Sequence, residues 1–200
     1  MSLPARRLGV IVLVLAAVIP LHAASVSRES ADAFAMKVAL IQRQGDMTDR
    51  VGTLRTRLTE DELNSWFMYQ AQPLLPAGLA QPQITIVGEG QLAAQAIVDL
   101  DAVAKQRAPS DTFDPLSLIS GTVPVTVTGM LHSSDGMARF EVQHAEIAGI
   151  QVPVAVLQEL ALYYSRTPER PQGVLLNDAF PLPIGILQIE VGQGQAVVVQ

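Results

Sequence analysis

The chain has 200 residues, 49% of them hydrophobic and only 16% charged. That is enough apolar material to bury a core and too much for a disordered polymer. Lys and Arg number 13 against 19 Asp and Glu, a net charge of -6, which argues against a nucleic-acid binder because no basic footprint is available for phosphate. The absence of cysteine and the presence of only three histidines remove disulfide scaffolds, thiol catalysis, iron–sulfur clusters and thiolate zinc, and argue against a multi-histidine metal centre.

At the N-terminus, Arg6 and Arg7 precede an apolar run from Leu8 to Ile19. Pro20 breaks the run, and small residues follow at Ala23, Ala24 and Ser25. This tripartite layout is that of a secretory signal peptide, assigned to residues 1–24, with cleavage after Ala23 or Ser25. The run is short against the roughly 20 apolar residues of a bilayer span; an uncleaved N-terminal anchor is the alternative. The expected location is extracytoplasmic, in the periplasm of a bacterial envelope. Membrane contact would come only through this segment or transiently. Residues 25–200 read as one α+β domain.

Ser30 to Arg43 carries Phe34, Val38 and Ile41 at helical spacing. Val51 to Leu58 alternates and reads as an edge strand or a linker. Thr59-Glu60-Asp61-Glu62 is a capping box, and the helix it starts shows an apolar stripe through Leu63, Trp66 and Phe67. A hairpin follows over residues 83–101. With Gly88-Glu89-Gly90 as a three-residue loop, Val87 faces Gln91, Ile86 faces Leu92 and Ile84 faces Ala94, which gathers the apolar residues on one side. Residues 105–121 are a polar loop with a turn of helix at Pro115 to Ile119. In the next hairpin a type I′ turn at Asp135-Gly136 pairs His132 with Arg139. One face then holds Val123, Val125, Val127, Leu131, Phe140 and Val142, and the other holds Thr126, Thr128, Met130, His132, Arg139, Glu141 and Gln143. In that register His132 and His144 leave opposite faces. Pro153 opens a last helix running to Tyr164, and RTPERPQG ends it. The closing hairpin, with Gly192-Gln193-Gly194 as its loop, sets Val191 against Gln195, Ile189 against Val197 and Leu187 against Val199.

VGEGQ at Val87 recurs as VGQGQ at Val191, and LPAG at Leu75 recurs as LPIG at Leu182. Residues 59–101 and 153–200 thus share the order helix, L-P-x-G turn, strand, G-x-G loop, strand, an internal quasi-repeat. The expected fold is a curved antiparallel sheet of about six strands, in three hairpins, packed against two to three helices. No G-x-S-x-G elbow occurs, and neither G-x-G loop has the dinucleotide spacing. Asp99 and Asp101 read as a solvated strand end, since calcium needs six or more oxygens. Arg166, Glu169 and Arg170 read as a solvated loop. No catalytic residue, metal or cofactor is expected.

The strings LTEDELNSWF, AIVDLD, GTVPVTVTGMLHSSDGMARFEVQHAEIAGIQVPVAVLQEL and FPLPIGILQIEV resemble a group of uncharacterised exported envelope proteins of acidobacteria-type genomes. The cadence from VQHAEIAGI to PLPIGI also resembles tubular lipid-binding and AsmA-like envelope modules, in which a helix lies in a curled sheet around a greasy groove. That resemblance implies a non-catalytic protein holding a lipid or other hydrophobic molecule. The groove would lie between Val123, Val125, Val127, Phe140 and Val142 on the sheet and Trp66, Phe67, Leu160 and Tyr163 on the helices. The alternative is a structural or interaction module with a filled core and an envelope protein partner.

Overall fold

A computed structural model describes residues 26–47, 52–105, 121–164, 172–183 and 185–200. The expected signal segment, the expected turn at Pro115 to Ile119, the Arg166–Arg170 loop and the side chains of Leu160 and Tyr163 lie outside the described residues. The chain runs α1 (Arg28–Gly45), β1 (Arg55–Thr59), α2 (Glu60–Tyr69), a 3-10 turn (Gln72–Leu74), β2 (Leu79–Gly88), β3 (Gln91–Asp99) and α3 (Leu100–Lys105). It continues through β4 (Thr122–Ser134), β5 (Met137–Ile147), β6 (Ile150–Gln151), α4 (Val154–Tyr164), β7 (Phe180–Pro181), β8 (Gln188–Gly192) and β9 (Gln195–Val199). The class is α+β. A six-stranded antiparallel sheet has the order β2-β3-β4-β5-β6, with β7 also pairing β5, and a second sheet has the order β1-β9-β8. All three expected hairpins form, but the last joins β1 in the smaller sheet instead of extending the larger one.

Caps fix the helix starts. The Ser27 hydroxyl accepts from the Ser30 amide at 3.0 Å. The Thr59 hydroxyl accepts from the Glu62 amide at 3.2 Å while the Thr59 amide donates to the Glu62 carboxylate at 3.0 Å, completing the capping box. α1 and α2 pack closely because the meeting residues are small: Ala31 and Ser65 are fully buried. Trp66 lies between Phe34 and Phe67, with ring centroids 5.4 Å away on each side. Lys37 bonds both Glu62 oxygens, at 2.6 and 2.8 Å.

The turns of two hairpins differ from the sequence expectation by one residue. In β2–β3 the body is as expected, Ile84 opposite Ala94 and Ile86 opposite Leu92, but Gly88, not Val87, faces Gln91. The connection is a two-residue turn, Glu89-Gly90, with both residues at positive φ, and Val87 is the extra residue of a bulge. In β8–β9 the turn is again two residues but no bulge compensates. Ile189 therefore faces Val198 and Glu190 faces Val197. This shift puts Leu58, Val198 and Ile189 on the inner side, where they meet Ile41 of α1 and Ile186 to form the buried core cluster. It also puts Arg55 and Glu190 on the outer side, where they pair across β9 with Nη1 to Oε1 at 3.0 Å.

In β4–β5 the Asp135-Gly136 turn and the His132–Arg139 pair stand as expected. Thr128 then faces His144 while Gly129 faces Val142, so Gln143 bulges out. Beyond the bulge, Ala145 and Ile147 join the apolar face and His144 moves to the polar one. His132 and His144 thus share a face. They sit four residues apart along it, about 13 Å at the strand rise, too far for one metal.

Candidate functional site

Alternation through this register assembles one apolar face from Ile84 and Ile86, Leu92 and Ala94, Val123, Val125 and Val127, and Phe140 and Val142. The five sheet residues expected to line a groove therefore do share a face. Val142 is buried, at 8% exposure, but Val123, Val125, Val127 and Phe140 are only half-buried. Gly129 matters here because the Phe140 ring crosses β4 over it. A Cβ at that position would lie 2.7 Å from the ring and against the Glu141 carbonyl.

The helical half of the expected groove is distributed differently. Trp66 turns to Phe34 of α1. α2 packs along the outer edge of β2, so Trp66 and Phe67 stand at one end of the sheet. α4 runs beside β5 at the other end, with Val154, Leu157 and Leu162 half-buried and Val156 exposed at 48%.

Phe67 belongs to a cavity of about 440 Å³, bounded by the end of α2, the 3-10 turn and the Gln81–Pro82 bulge of β2. Gln83 and Gln95 are direct cross-strand neighbours on its sheet wall. Gln81 holds a positive φ of 50, a left-handed conformation that costs a non-glycine residue about 1 kcal/mol. The sequence signal for this cavity was the glutamine pair at positions 83 and 95, which the expected register already set face to face.

Asn64 positions the edge strand that carries both features. Its amide nitrogen donates to the Ile84 carbonyl at 2.7 Å, and its oxygen accepts from the Ile84 amide at 2.8 Å. Glu60 accepts from the Ile86 amide at 2.7 Å, and the Gly194 amide donates to the Ile86 carbonyl at 2.8 Å. Four outward backbone groups of β2 are thereby satisfied, which closes the edge to strand addition. β8 is treated in the same way. The Ser133 hydroxyl accepts from the Ile189 amide at 2.8 Å and donates to the Ile189 carbonyl at 2.9 Å. The Gly90 amide donates to the Val191 carbonyl and the Gly136 amide to the Leu187 carbonyl.

One ion pair, Lys37 with Glu62, joins α1 to α2. Burial pushes the Glu62 carboxyl up, but the bonds from Lys37 and Thr59 outweigh it and hold the group below its ordinary value. Asp99 caps α3 through the Ala102 amide at 3.0 Å, and Asp101 accepts from the Gly121 amide at 3.2 Å. They therefore do local backbone work and do not form a carboxylate pair. Among the described residues no cluster of three or more His, Asp or Glu could hold a metal ion, and no helix is long and apolar enough to cross a membrane. No family model, curated protein or solved structure matches the chain.

Proposed function

We propose that the protein is a non-catalytic, exported component of a bacterial envelope that binds a lipid or another hydrophobic molecule against the apolar face of its larger sheet. The observation that carries this reading is the partial cover of that face. Val123, Val125, Val127 and Phe140 remain half-buried, whereas the tightly buried cluster sits elsewhere, around Ile41, Ile186 and Val198. Covering exposed apolar surface gains about 25 cal/mol per Å², so an acyl chain laid along β4 would be held without any polar contact. The lipid-binding envelope modules that the sequence resembles use a sheet face in this way.

Native mass spectrometry of protein expressed with its signal segment, before and after organic extraction, tests the reading. The expected result is an adduct mass that extraction removes and that a Val125→Glu variant lacks. Protein that emerges ligand-free and fails to bind an apolar dye overturns it.

A second reading, an interaction module meeting an envelope protein, draws on one specific feature. Ile150 is exposed at 71%, Phe180 at 46% and Leu175 at 47%, around the β5 side of the sheet. Stoichiometric co-purification of one partner, lost on Ile150→Glu, would favour it over ligand binding.

A further inference from the structure

We propose that the cavity at the end of α2 is a binding site for a small neutral saccharide, a site separate from the apolar sheet face. Four carboxamides line it, those of Gln72, Gln81, Gln83 and Gln95. None of them has a side-chain hydrogen-bond partner among the described residues. The fifth, Asn64, is fully committed to Ile84. Apolar side chains line it as well, Phe67 and Met68 from α2 and Pro82 and Ile97 from the strands that carry the glutamines.

Among the described residues no charged side chain lines the cavity, although the chain carries 13 basic and 19 acidic residues. A charged ligand would enter without a counter-charge and lose its hydration uncompensated. A purely apolar one would strip water from four amides and return no hydrogen bonds. The ligand class that satisfies both sets of side chains is neutral, dense in donors and acceptors, and apolar on one side. A sugar ring meets all three conditions. Each carboxamide offers a donor and an acceptor to neighbouring hydroxyls, and the ring's C–H face rests on Phe67. An extended peptide is disfavoured because the β2 edge it would pair with is already closed by Asn64 and Glu60. The volume of about 440 Å³ lies within the range of small-molecule sites. The Gln81–Pro82 bulge is the local device that opens the space, since bulges re-aim side chains at strand edges.

Methyl-labelled methionine provides the probe. Met68 lines the cavity, whereas Met36 and Met47 are exposed on and just past α1 and serve as internal controls. The full chain is titrated with glucose, N-acetylglucosamine and their β-1,4-linked disaccharides, with glucuronate and an apolar dye as comparators. The expected result is a saturable shift of the Met68 methyl at millimolar neutral sugar, with Met36 and Met47 unmoved. Gln83→Ala and Gln95→Ala, both at exposed positions, should each weaken binding about tenfold, the effect of one lost hydrogen bond. Gln72→Ala, outside the sheet, gives the same readout should a strand variant misfold by circular dichroism. The proposal is overturned if Met68 stays still with every neutral sugar, if glucuronate or the dye moves it equally, or if the folded variants bind as the parent does.

Discussion

The seam along β2 and β8 and the half-buried apolar row of β4 contrast sharply, although both are made of alternating strands. Along the seam, single side chains seal single residues. Asn64 takes both backbone groups of Ile84, and Ser133 takes both of Ile189. Beneath the smaller sheet, Val198 and Ile41 are 5% exposed. On β4, Val123, Val125 and Val127 have the same apolar chemistry and remain half-buried. Apolar alternation alone therefore does not say whether a face is filled; the difference lies in whether helices and turns arrive to cover it.

The two seals also differ from each other. A carboxamide has a separate donor and acceptor, so Asn64 meets Ile84 without compromise, and it is itself only 6% exposed. A hydroxyl must donate and accept through one oxygen. Asn64→Ala is expected to be the most damaging change, about 3 kcal/mol, because it leaves two edge groups unpaired at a buried site. Ser133→Ala is expected to cost about 1.5 kcal/mol, since water reaches that half-buried edge more readily. Urea unfolding of both variants measures the pair; equal losses would show that the two edges are sealed to the same degree.

Next in size is the capping box. Thr59→Ala is expected to cost about 1 kcal/mol by chemical denaturation. Its partner makes the contact between α1 and α2 acid-sensitive. Because the folded Glu62 carboxyl lies below its ordinary value, the stability it contributes is complete above the unfolded carboxylate pKa, about 4.3. That contribution is lost as pH falls through the folded value. A Glu62→Gln variant should be less stable than the parent at neutral pH, and the gap should close as the pH is lowered. A gap that persists unchanged in acid would show that Glu62 acts only through shape.

The elements that local chemistry decides were legible in the sequence: the Thr59 capping box, the Pro153 helix start and the Asp135-Gly136 turn all stand where their residues point. The apolar face was legible as well, because strand parity gathers Val123 to Val127 whatever the loop does. Register near turns was less so. G-x-G fits a three-residue loop or a two-residue turn equally well, and only the Val87 bulge keeps the first hairpin in its expected body register while the second shifts. The Gln143 bulge did leave a trace, since apolar positions switch from Phe140 and Val142 to Ala145 and Ile147. Asn64 stood out as a polar residue beside an apolar stripe, but its partner is twenty residues away on another element, a distance over which sequence spacing carries no geometry.

The contrast is tested most directly by one substitution made at a filled site and at a half-covered one. Val198→Ala empties a filled site and should cost about 2 kcal/mol. Val125→Ala removes the same two methyl groups from a half-covered face, so the lost transfer term is smaller and no closed cavity forms; the cost should stay below about 1 kcal/mol. Measured on protein stripped of any extractable ligand, a ratio near two or more supports an open face. Should the two variants lose equal stability in the stripped protein, the β4 face is as filled as the core and has no room for a guest. Should they differ when stripped and converge in the unextracted protein, the missing cover is the ligand itself, because only a bound molecule would give Val125 the packing that Val198 has from its own chain.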